Sequence, residues 1–299
     1  MIRLSSSYVF DTAYSGVLKN RTSLVEMYDQ ISSGQKIRKA SDDPVQSARI
    51  LDLQKSMSNI EMSQRYATTA ENDLANEETI LTQVNSLLLR ARTLTLQSSN
   101  GTQGVENLQA VGSEINQIIE QMSELANTKN SDGAYIFAGY SADQPAYSYT
   151  RDANGDIDTA SYDGDGSTVK KTVSPSLQVS ISHPGTQVFG VGVDDVFSQL
   201  IQTRDDLYVG VTPTNLDKID DIYASVSAGI SDIGARTNQV ELAQEVNETL
   251  LLNQQKALGD IRDLDLPSAI AEFTQLQVNV EAINNTFAKV VNISLFDYI

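Results

Sequence analysis

Asp152, Asn154, Asp156, Asp158 and Asp163 stand at the offsets that positions 1, 3, 5, 7 and 12 take in a calcium loop, where side-chain and carbonyl oxygens converge on one divalent ion. Two features depart from that pattern: Ile157 occupies the place of the turn-forming glycine, and Asp163 replaces the bidentate glutamate. Asn154-Gly155 and Asp163-Gly164 are also the pairs that hairpin turns demand, and a turn is the expected role of this stretch. Tyr147, Tyr149 and Tyr162 beside it read as strand packing rather than a binding face. The chain's one histidine, His183, precedes Pro184-Gly185 and reads as a structural or solvated residue beside a turn. Zinc sites need several nitrogen or sulfur ligands at fixed spacing, and the two-histidine zinc protease motif cannot exist with one histidine. With no cysteine and no nucleophile–base pair nominated by spacing, neither an enzyme nor a cofactor or metal site is expected.

The composition narrows the partners. A net charge of −18 over 299 residues repels phosphate backbones and anionic lipid surfaces, so neither nucleic acid nor membrane is expected as a partner. No apolar stretch approaches the length of a membrane span, and the first residues do not read as a cleaved secretory signal. Aromatic residues are 6% of the chain, so burial must come from small aliphatic side chains at heptad spacing.

Those ladders dominate the sequence. No proline falls between Pro44 and Pro145, and within that stretch run Ile50, Leu53, Met57, Ile60 and then Leu81, Val84, Leu88, Ala91, with Gly101 as a helix stop. A second helix is predicted through Leu108, Val111, Ile115, Ile118, Met122 and Leu125, ending near Lys129 to Gly133. From 131 to 192 glycines cluster and alternation such as Leu177 to Ile181 predicts short strands. Helical periodicity resumes over Val196 to Tyr208 and again from Leu216 toward Leu250, until Asp263 to Pro267 interrupts it. Gly234 inside that last helix costs about 1 kcal/mol relative to alanine, which points to a close packing contact there.

The two ends carry matching seams. Phe10, Tyr14, Val17, Leu24, Tyr28 and Ile31 keep a 4-3 rhythm broken only by Arg21, and Phe273, Leu276, Val280, Ile283, Phe287 and Val290 keep it without a break. A seam needs a partner, so the first and last helices are expected to lie side by side as an assembly interface. The net charge of +3 over residues 1–40 and −2 over 267–299 favours the same pairing. Asp43, Pro44 and Gln46 specify a helix start, with Asp43 as N-cap, Pro44 at the first helical position and Gln46 as the return half of a capping box. The expected fold is mainly α, a long antiparallel helical coiled-coil and bundle rod with a small central β-rich insertion. Its expected parts are a terminal coiled-coil domain of 1–40 plus 264–299, a helix-bundle domain of 41–132 plus 193–263, and a β-rich insertion domain of 133–192.

Ile31-Ser32-Ser33-Gly34-Gln35-Lys36-Ile37-Arg38 followed by Ser41-Asp42-Asp43-Pro44 resembles the bacterial flagellin superfamily. Three further segments, Tyr135 to Tyr140, Ile233 to Gln239 and Ser294 to Ile299, are similar to its hook-associated branch, whereas flagellins proper usually have Asp-Asp-Ala and a different Leu-rich tail. The resemblance spans both ends and the helical segments but not 141–190. It implies a structural subunit of the bacterial flagellum, assembled as a homo-oligomeric ring where hook meets filament. It further implies another hook-associated protein on one side, flagellin on the other, secretion through the flagellar export channel without a cleaved signal, and an export chaperone on the C-terminal helix. A flagellin filament subunit and a calcium-binding extracellular adhesin are the alternatives.

Overall fold

In a computed structural model of the chain, residues 6–99 and 104–296 are described. The expected helix stop at Gly101 and the segment 297–299 lie outside the described residues. The elements run α1 (Ser6–Ser33), α2 (Pro44–Ser98), α3 (Val105–Ala126), β1 (Tyr147–Arg151), β2 (Ile157–Tyr162), β3 (Lys170–Ser174), β4 (Leu177–Ser180), the short α4 (Gly185–Val188), α5 (Val196–Tyr208), α6 (Leu216–Arg262) and α7 (Leu266–Phe296). The fold is mainly α with a small strand-rich insertion, as the periodicities dictate. Among the described residues no helix is long and apolar enough to cross a membrane.

The chain divides into two compact units, Met1–Ser58 with Leu251–Ile299, and Asn59–Leu250. The division falls inside α2 and α6, not at the loops near 40 and 264 where the sequence suggested it. The strand-rich segment belongs to the second unit instead of standing as a third part.

In the second unit the ladders become a core. Leu74, Leu81, Val84, Leu88 and Ala91 of α2, Ile115, Ile119 and Met122 of α3, and Ile219, Val226, Ile233 and Val240 of α6 are buried with the strand-rich segment's Phe137, Tyr147, Ile157 and Val173. Cross-links between α2 and α6 fix their antiparallel register: Arg92 Nε and Nη2 donate to the two carboxylate oxygens of Asp220 at 2.5 and 3.2 Å, Ser227 donates to Asn85 at 3.3 Å, and Gln244 to Glu71 at 2.9 Å.

The strands form two antiparallel hairpins, β1 with β2 and β3 with β4, each carrying a register irregularity. Tyr147 lies within ring-to-ring distances of 5.1 to 5.6 Å of Phe197, Tyr162 and Phe189. The three tyrosines named above satisfy their hydroxyls on carbonyls, Tyr147 on Gly185, Tyr149 on Ser123 and Tyr162 on Phe137. Burial pushes the Tyr147 and Tyr149 phenols well up, so both remain neutral packing groups. Bonds to the helices anchor the hairpins: Arg151 grips Glu120 of α3 with two nitrogens, Lys171 meets Asp73 of α2 at 2.6 Å, and buried Arg204 of α5 donates to the Ile157 carbonyl at 2.6 Å.

Two glycines differ in what surrounds them. A Cβ on Gly112 of α3 would sit 2.9 Å from Tyr208 Cδ1, so the absent side chain lets α3 and α5 approach. Gly234 has nothing within 4 Å of such a Cβ, so the close contact expected there does not exist.

Candidate assembly interface

The acidic stretch of 152–163 is spent on a turn. Asp152 Oδ1 accepts the backbone N–H groups of Asn154 and Asp156 at 2.8 and 2.9 Å, the Gly155 N–H donates to the Asp152 carbonyl, and Asp156 takes the Asn116 side-chain amide at 2.8 Å. Desolvation is the largest single influence on the Asp152 carboxyl and raises it, but the hydrogen bonds from Asp156, Asn154 and Gly155 together outweigh it and hold the carboxyl below the usual carboxylate range. Among the described residues no group of three or more His, Cys, Asp or Glu is placed to hold a metal ion.

Of the two roles expected for His183, structural or solvated, it takes the structural one. It is fully buried, with both ring nitrogens at carboxylate oxygens, Nδ1 3.0 Å from Glu77 Oε1 and Nε2 3.0 Å from Asp232 Oδ2. Sequence reading missed this because the partners stand far from position 183 along the chain.

The residues of the two expected seams lie in the first unit. α1 packs against α7. On α7 the periodicity is clean: Phe273, Leu276, Val280 and Ile283 are half-buried, and every residue between them is exposed. On α1 Val17 is buried and Leu24 and Ile31 are half-buried. Tyr14 and Tyr28 lie at the margin, 50% and 61% exposed, with the Tyr28 ring 6.5 Å from that of Phe273. The side chains of Phe10, Phe287 and Val290 lie outside the described residues. Among the described residues no ion pair joins α1 to α7; Arg38 pairs with Asp29 at 2.9 Å.

The base of this helix pair is closed by the main chain. The Lys36 N–H donates to the Arg262 carbonyl at 2.7 Å and the Leu264 N–H to the Gly34 carbonyl at 3.0 Å, forming a one-residue antiparallel bridge of Gln35 with Asp263. The interruption at Asp263 to Pro267 announced a loop, but not that it would bond to the segment after α1.

Next to it the paired aspartates serve two turns. Asp42 Oδ2 accepts the N–H groups of Arg38 and Lys39 at 3.1 and 2.9 Å, and those bonds, Lys39's first, hold its carboxyl below the ordinary aspartate range. Asp43 Oδ1 accepts the N–H groups of Val45 and Gln46 at 3.1 and 3.0 Å, which is the geometry of an N-cap ahead of Pro44. The capping box is not completed, since Gln46 Oε1 is buried without a hydrogen-bond partner.

This unit is under-packed as it stands. Among the described residues its buried apolar side chains are Val17, Ile37, Leu258 and Ala269, while Val25, Leu51, Leu252, Ile270 and Val278 are each more than half exposed.

A family model of the bacterial flagellin N-terminal helical region matches residues 5–142, and one of the bacterial flagellin C-terminal helical region matches 216–299. The chain belongs to the bacterial flagellin family. Within it, the flagellar hook-associated protein 3 of Escherichia coli (strain K12) is 21% identical over 99% of both chains. A solved flagellar hook-associated protein from Vibrio parahaemolyticus superposes with a TM-score of 0.66 at 22% identity, covering 74% of this chain and 100% of that one. The flagellar junction protein of Legionella pneumophila superposes with a TM-score of 0.57 at 18% identity, covering 72% of this chain and 99% of that one. These likenesses bear on the fold; both flagellin helical regions flank the strand-rich segment and leave most of it unmatched.

Proposed function

We propose that this chain is a structural adaptor of the bacterial flagellum, forming the ring that joins hook to filament. The observation that carries this reading is the end-to-end alignment with a hook-associated protein 3, which spans 99% of each chain, strand-rich segment included. The under-packed terminal unit supports it, because the half-buried seam and the exposed apolar residues around it are completed by neighbouring copies. In this reading another hook-associated protein meets the ring on the hook side and flagellin on the filament side. The chain is secreted through the flagellar export channel without a cleaved signal, and an export chaperone holds α7 beforehand. Phe273, Leu276, Val280 and Ile283 with Val17, Leu24 and Ile31 are the interface residues; Asp43 and Pro44 fix the start of α2.

The experiment is complementation of a strain lacking this gene with an epitope-tagged chain, followed by immunoelectron microscopy of intact flagella. A single labelled band where hook meets filament is expected. Label along the whole filament identifies a filament subunit instead, and filaments that stay attached without the protein overturn the adaptor reading. N-terminal sequencing of the flagellum-bound protein tests whether the exported chain keeps its first residues.

A further inference from the structure

His183 lies between β4 and α4, in the strand-rich segment, and its ring is clamped by the two long helices of the second unit. Glu77 of α2 is fully buried; its Oε1 accepts the His183 backbone N–H at 2.8 Å and faces Nδ1 at 3.0 Å, while its Oε2 has no hydrogen-bond partner. Asp232 of α6 places Oδ2 3.0 Å from Nε2, and the same oxygen meets Arg236 Nη2 at 2.6 Å. Arg236 in turn points Nη1 at the carbonyls of Ser180 and Ser182, at 3.3 and 3.5 Å, on the chain leading to His183. Among the described residues the charged groups facing the ring are therefore Glu77 from α2 and Asp232 and Arg236 from α6. Lys171 of β3 is occupied by Asp73 on α2, and α4 carries no charged residue.

A neutral imidazole has one N–H. Between two carboxylates, one ring nitrogen would then aim its lone pair at a carboxylate oxygen 3.0 Å away, and Glu77 would be a buried anion without a cation. An imidazolium donates to both sides and makes the four groups electrically neutral together. We propose that His183 is an imidazolium pin that fastens the strand-rich segment to α2 and α6, and that its deprotonation in alkaline solution loosens that segment while the helices remain paired. Burial opposes the charged ring, the Glu77 hydrogen bond and charge favour it, Arg236 opposes it and Asp232 favours it; the balance lies above the ordinary histidine value. The sign follows from linkage. A raised value in the folded state gives a stabilisation that is complete below the unfolded value near 6.5 and is lost as pH rises through the folded value.

Because the chain has one histidine, its imidazole nitrogen spectrum is that of His183 alone. Nitrogen-15 NMR of the full chain is expected to show both ring nitrogens protonated at neutral pH, with a midpoint above that of the same chain in denaturant. Hydrogen exchange over residues 137–189, corrected for intrinsic base catalysis, is expected to rise about tenfold per pH unit between the two midpoints and level off above the folded one. His183→Gln is expected to abolish that pH dependence. Asp232→Asn, at a carboxylate 47% exposed, leaves the core intact and is expected to lower the folded midpoint, so that the rise is smaller and levels off at lower pH. A ring that is neutral at pH 7, a midpoint unmoved by Asp232→Asn, or the same excess exchange in His183→Gln would each overturn the proposal. If His183→Gln fails to fold, the wild-type midpoint and its response to Asp232→Asn decide.

Discussion

Asp42 and Asp43 are neighbours whose carboxylates turn in opposite directions, one back to close the 38–42 turn and one forward to cap α2. Asp43→Ala removes both forward bonds and is expected to cost about 0.5–2 kcal/mol, read as a lower urea midpoint at unchanged slope, with Asp43→Asn recovering most of it. Pro44→Ala should be milder, since the first helical position tolerates both residues. Asp42 gives an acid-side effect: its folded value is depressed, so its contribution is complete above the unfolded value near 3.9 and is lost as pH falls through the folded value. Carboxyl NMR titration should place Asp42 below an aspartate in the denatured chain. Asp43 was legible in the sequence because a cap is a bond between residues two and three apart. Asp42, the unmade return bond of Gln46, and the partners of His183 were not, because turn geometry or distant helices decide them.

The helices were legible because each ladder is a local statement about which face will be buried. The start of α2 at Pro44, the gap between α5 and α6 around Pro213 and the break before α7 all stand where the sequence placed them. Glycine was harder to read, since its meaning depends on what another element brings near. Gly112→Ala is expected to destabilise by about 1–3 kcal/mol by pushing Tyr208 away, and Tyr208→Ala should relieve much of that cost in a double-mutant cycle. Gly234→Ala meets open space in a helix interior and should stabilise by about 0.5–1 kcal/mol. Thermal melts of the two variants separate these outcomes by sign. The strand-rich stretch was recognised by its turns and alternation, yet its attachment to the helices rests on Arg151, Lys171 and Arg204 reaching groups that no sequence spacing links.

The two compact units differ in what they bury. Most apolar burial lies in the second, so hydrogen exchange of the free protein should protect the buried parts of α2, α3 and α6 far more than α1 and α7. Ile283→Asp sets a carboxylate in the half-buried stripe of α7; it should leave the main melting transition in place and abolish filament attachment, which motility assays and electron microscopy of shed filaments would register. Motile cells carrying this variant would refute the pairing as an interface. The main-chain bridge of 34–36 with 262–264 joins the segment after α1 to the segment before α7 through backbone atoms alone. The register of α1 against α7 is pinned there by two peptide groups, so it does not depend on which side chains occupy those positions. A substitution in either segment that leaves those two backbone hydrogen bonds in place therefore keeps α1 and α7 in step.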